Sequence, residues 1–179
     1  MQTPNPKMGT GQLKGLGLWH LAALDMFEET QPLLEGFQPY QDGIIATVTR
    51  VNAADEALTP VRLKVKLTEM LLEAETRRCF STCEAVDGKK QGPMSIALFP
   101  KGLTAVIQPV GAGQVTAILA LLTRGKERNL NTHAQIGPQL QAVKVGCERL
   151  DLAVKDREKA YSTLAGAQAA ELLAREDFC

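Results

Sequence analysis

Three cysteines and two histidines are the residues of this sequence best equipped for chemistry. Cys79 and Cys83 stand four apart, a spacing that turns two thiols to one side of a helix and can set two thiolates on one metal ion. Tetrahedral ligation needs two further donors. Cys147 falls on another strongly helical pattern and is the candidate third, while Cys179 stands at the terminus. Cysteine without such company packs as a small hydrophobe, so packing is the expected role of all three, and no metal or cofactor is expected. His20 and His133 lie in neither a Glu-x-x-His nor a His-Glu-x-x-His frame, which removes di-iron and zinc-hydrolase chemistry. No G-x-S-x-G elbow surrounds Ser95 or Ser162. Gly111-Ala-Gly113-Gln-Val-Thr116 follows an apolar run, as a dinucleotide loop does, but threonine replaces the third glycine and no βαβ unit follows. It reads as the start of a helix. The expected protein is not an enzyme.

The elements that hold these residues are read from periodicity. Around the cysteine pair, Arg62, Lys66, Glu69, Glu73 and Arg77 form one polar stripe at helical spacing, and apolar residues fill the rest of the circumference. Thr59-Pro60 suits a helix start and Gly88 a helix end, so a helix is predicted from about Pro60 to Ala85. So wide an apolar face needs cover on two sides, which argues for a bundle. Cys147 belongs to the clearest helix, predicted from Pro138 to Asp177. There Leu140, Val143, Cys147, Leu150, Val154, Arg157, Tyr161, Leu164 and Gln168 alternate steps of three and four, a coiled-coil seam. Such a helix would be roughly 60 Å long. Leu140, Val143, Leu150, Val154 and Leu164 are the expected interaction residues, shared with a second copy or another helical protein.

Two stretches favour strands on composition. GIIATVTRV is β-branched, yet Ile44, Val48, Val51, Asp55 and Leu58 keep helical spacing. VRLKVKL alternates, but its wider window is helical. Between the long patterns lies Pro93 to Thr123, an apolar segment punctuated by proline and glycine, where SIALFP and LTAVI could pair as a small hairpin. Phe99 and Leu103 are expected to be anchored there, with Pro100-Lys-Gly102 as a surface turn. The segment Leu98-Phe-Pro-Lys-Gly-Leu103 resembles that of uncharacterised bacterial proteins built of long helical hairpins around a central LFP-x-GL motif. The resemblance implies an all-helical fold and no particular activity.

Composition excludes other classes. With 20 basic and 20 acidic residues among 179, the chain lacks the charge excess of a nucleic-acid binder. Aromatics at 4% provide few stacking surfaces. Trp19, Phe27, Phe37 and Tyr40 cluster near the N-terminal prolines and are expected to fill core, with an aromatic contact surface as the alternative. No signal peptide is apparent, and a cytoplasmic location is expected. The uncharged span 102–123 is long enough to cross a membrane but holds glutamine, proline and glycine, so a membrane-associating role ranks last. Residues 1–17 are expected to be a flexible arm, and 18–179 a single helical domain. The expected fold is mainly α, an elongated antiparallel bundle or hairpin; the alternative is α+β with short hairpins at 43–67 and 94–108. The expected function is a structural or protein-interaction bundle, with a small-molecule or metal-binding bundle as the alternative.

Overall fold

Where β propensity and helical spacing compete in this chain, the spacing prevails. The computed structural model describes residues 7–178, which are mainly α with no strand among the described residues. Both strand-like stretches lie inside one helix, α2, Gln31–Asp87. A strand would put Leu63, Val65 and Leu67 on the same face, whereas α2 turns Val65 inward and leaves Leu63 and Leu67 exposed. The hairpin alternative therefore falls at 43–67. It falls at 94–108 as well, where α3, Pro93–Leu98, and α4, Thr104–Ile107, flank a turn. Two further helices follow, α5, Ala112–Glu127, and α6, Ile136–Phe178.

Thr59-Pro60 does not begin a helix, because α2 runs straight through it. Pro32, in its first turn, has no bond to lose. Pro39 and Pro60 each remove one rung of the ladder, and burial of Ile44, Leu58 and Val65 to either side outweighs that loss. The far end of the helix agrees with the sequence: Gly88 follows Asp87 with a positive φ, and its amide donates to the Ala85 carbonyl at 3.2 Å.

The chain divides into two compact units. The physical basis is two hydrophobic clusters that share no residue. The first unit comprises the described residues within Met1–Thr59 and Lys159–Cys179. Its first helix, α1, Thr10–Asp25, starts inside the stretch expected to be a loose arm; residues 1–6 of that stretch lie outside the described residues. Local composition gives residues 10–17 no reason to order, but Leu13 is fully buried with Ile44 and Phe178, and that burial offsets the entropy. Gly17 permits the approach of α1 to α2. A Cβ there would fall 1.7 Å from Oε1 of the buried Gln41, whose Nε2 donates to the Lys14 carbonyl at 3.0 Å. The aromatic residues depart from expectation, since Trp19, Phe27 and Tyr40 are exposed. Phe37 packs, stacked on His20 and 5.3 Å from the Phe178 ring, while Trp19 meets the His20 ring edge-on.

The second unit, Pro60–Glu158, holds every cysteine considered above except Cys179, which lies outside the described residues. Its core joins Val65, Leu72, Cys79 and Cys83 of α2 to Val115, Ile118 and Leu121 of α5 and to Leu140, Val143, Cys147, Leu150 and Val154 of α6. The Leu98–Leu103 segment closes it, with Phe99 buried edge-on against Phe80 at 5.1 Å. The Gly102 amide donates to the Phe99 carbonyl at 2.9 Å, and Gly102 takes a φ of 80° that other residues resist. Lys101 is exposed on this turn and Leu103 packs on the core.

Candidate functional site

Helical spacing brings Cys79 and Cys83 together on the buried face of α2. The Cys79 thiol hydrogen-bonds to the Cys83 sulfur, which, with burial, pushes the Cys79 pKa well up. The same bond lowers that of Cys83, against burial and the nearby Asp87 and Glu84 carboxylates. Cys147 points elsewhere, with its sulfur 3.8 Å from the Val115 carbonyl oxygen. Burial, followed by the charges of Asp151 and Glu148, raises its pKa. Among the described residues no three His, Cys, Asp or Glu side chains come together as a metal site. All three thiols are buried core atoms.

Three helix starts are served by side chains of this unit. Gly111 precedes α5, in the loop that superficially suits a phosphate, and its amide donates to Glu69 Oε1 at 2.6 Å. A carboxylate already occupies the position an anion would take, which supports the helix dipole and closes the dinucleotide reading. At α3, Gly92 stands in the capping position without a side chain and Pro93 lacks an N–H. Asp87, at the end of α2, supplies the cap from outside. Its carboxylate accepts from the Met94 amide at 2.9 Å and from the amide and hydroxyl of Ser95 at 3.0 Å each. Burial alone would raise the Asp87 pKa, but these bonds and Lys89 hold it below the usual carboxylate value. His133 Nδ1 accepts from the amides of Gln135 and Ile136 at 3.3 Å, so this histidine caps α6. Ser95 and His133 thereby have structural work.

The expected interaction seam is consumed internally. Leu140, Val143, Leu150 and Val154 are all buried in the second unit's own core, and Leu164, in the first unit, is half-buried. Their heptad spacing is the spacing of a helix packed inside a bundle as much as of one shared between chains. Two surfaces of the second unit are apolar and open to a partner. One is a groove of about 570 Å³ between α5 and α6, floored by Val115, Leu140 and Cys147, with Lys126, Lys144, Glu148 and Asp151 around it. The other is the outer face of α2. Leu63, Leu67, Met70 and Leu71 are each 56–65% exposed, and Ala74 continues them. At 100° per residue these five centre roughly 170° from Val65, Leu72, Thr76, Cys79 and Cys83, the face in the core. The bundle covers one side of this helix, not the two that its apolar content suggested.

Gln114 was not singled out by the sequence. It is 1% exposed in the first turn of α5, and neither amide atom has a hydrogen-bond partner among the described residues. Nothing in its neighbours GAG and VTA marks it, because a glutamine two residues into a helix is ordinarily solvated. No helix among the described residues is long and apolar enough to cross a membrane. No family model, curated protein or solved structure matches the chain.

Proposed function

We propose that this protein is a non-enzymatic interaction bundle whose binding surface is the outer face of α2. The observation that carries the reading is the pair of apolar faces on one helix, the inner one packed and the outer one formed by Leu63, Leu67, Met70 and Leu71. Scattered exposed leucines need no explanation, but four within nine residues along one helical stripe make a contiguous apolar surface of the kind that marks protein contacts. Charged residues border it on both sides, Lys64 and Glu75 on one and Lys66 and Glu73 on the other, as in the polar rim of an interface. The candidate chemical groups point the same way: the thiols are buried, and Asp87, Glu69 and His133 cap helices.

The experiment compares the wild-type chain with Leu67→Lys/Leu71→Lys as immobilised bait. Both positions are exposed, so the variant is expected to melt with the wild type, within about 0.5 kcal/mol. At least one protein retained from an extract by the wild type should be lost by the variant. Retention of the same proteins by both would overturn the reading.

A second reading, small-molecule binding, is favoured by the α5–α6 groove, whose volume falls in the range of ligand sites. Screening apolar ligands by thermal shift against wild type and Leu119→Lys tests it. A stabilisation lost in the variant would support it.

A further inference from the structure

We infer that the outer face of α2 pairs with the same face of a second copy, antiparallel, about a two-fold axis that passes between Thr68 and Glu69. This deepens the interaction reading above and rests on it. Leu63, Leu67, Met70 and Ala74 step by four, three and four, the seam of a short coiled coil, and all four are exposed. In an antiparallel pair with that axis, Leu63 of one copy meets Ala74 of the other and Leu67 meets Met70. Large faces small at each end, and two large flexible side chains meet in the middle. Every seam residue finds a seam residue in a single register.

The flanking charges independently favour the same antiparallel orientation. In residues 62–75 the basic side chains Arg62, Lys64 and Lys66 precede the acidic ones, Glu69, Glu73 and Glu75. Lys66 and Glu73 border one edge of the seam; Lys64 and Glu75 border the other. An antiparallel two-fold pair sets like edges together with their order reversed. With that axis Lys66 falls two residues, about 3 Å, off the level of Glu73 of the second copy, and Lys64 equally off Glu75 of the second copy, a stagger that these long side chains can span. A parallel pair would instead set lysine on lysine and glutamate on glutamate, which is unfavourable in the same geometry. Lys64 already reaches Asp156 of its own chain at 2.9 Å, and Glu73 lies 3.6 Å from Arg77. Those are exposed pairs, worth little, that leave room for exchange.

The size of the surface fixes the expected strength. Leu63, Leu67, Met70 and the flanking Leu71, each more than half exposed, offer roughly 500 Å² per copy, or about 1,000 Å² for the pair, the low end for a specific interface. The dimer should therefore form in the micromolar range, and the chain should be monomeric in dilute solution.

The test uses the full chain with Cys179→Ser to remove the terminal thiol. Leu63→Cys and Ala74→Cys chains, mixed in equal amounts and oxidised, should form a disulfide between chains, because the two positions share one layer. Each alone should not, since the two copies of position 63 would lie about 16 Å apart along the helices. A disulfide from Leu63→Cys alone would indicate a parallel pair and overturn the inference. Sedimentation should give a dissociation constant that weakens about threefold to tenfold for Lys66→Glu and recovers for Lys66→Glu/Glu73→Lys. A wild-type chain that stays monomeric to about 100 μM without cross-linking also overturns it. The interaction reading would then stand or fall by the extract experiment alone, because Leu67→Lys/Leu71→Lys removes any partner on this face, whether a second copy or another protein.

Discussion

Replacing Asp87 with alanine should loosen the start of α3 and, through it, the segment that carries Phe99. One carboxylate serves the Met94 amide, the Ser95 amide and the Ser95 hydroxyl at 2.9–3.0 Å, at a helix start where glycine and proline can supply nothing. Loss of an ordinary cap costs about 0.5–2 kcal/mol, and bonds to a charged acceptor lie at the upper end of the hydrogen-bond range. Water can reach part of this site, so the expected loss for Asp87→Ala is about 2 kcal/mol, with roughly half that for Asp87→Asn, which keeps one acceptor oxygen. The sign of the pH dependence follows from the depressed pKa. A carboxylate whose pKa is lower folded than unfolded contributes its full stability above the unfolded value, about 3.9. The contribution is then lost as pH falls through the folded value below it. Urea unfolding followed by circular dichroism should show wild type and Asp87→Ala well separated at neutral pH and converging in acid. Amide exchange at Met94 and Ser95 should accelerate in the variant. A separation that persists unchanged in acid, or exchange rates that do not move, would refute the capping argument.

Two other outcomes are expected. Phe99→Ala removes a buried ring stacked edge-on against Phe80 and should cost about 3–5 kcal/mol, while Lys101→Ala, exposed on the neighbouring turn, should change stability by less than about 0.5 kcal/mol; thermal and urea unfolding of the two variants provide the comparison. Cys79, Cys83 and Cys147 should react with a thiol reagent at about pH 8 at least a hundredfold more slowly in the folded chain than after unfolding, and mass mapping of a fast-labelling site to any of the three would contradict their burial.

The helices were legible because their signals extend over many residues. Arg62 to Arg77 could be recognised as one face despite the alternation of VRLKVKL, since a strand pattern seven residues long loses to a helical one twice that length. Helix boundaries that depend on one or two residues were less legible. Thr59-Pro60 carries the marks of a start but sits within α2, because burial on both sides outweighs one missing bond. The capping roles of Asp87 and Glu69 act across 7 and 42 residues, and local sequence has no means of announcing them. The same limit applies to the seam of α6. Spacing identifies which residues are turned inward together, but whether α5 and α2 or another molecule provides the opposite wall is decided by tertiary packing.

The outer face of α2 has a consequence for how this sequence tolerates change. Leu63, Leu67, Met70 and Leu71 do not support the core beneath them, so a chain maintained only for its ability to fold could exchange them for lysine or glutamate and gain solubility. Four adjoining apolar positions outside the core thus give the surface a stickiness that the fold itself does not require.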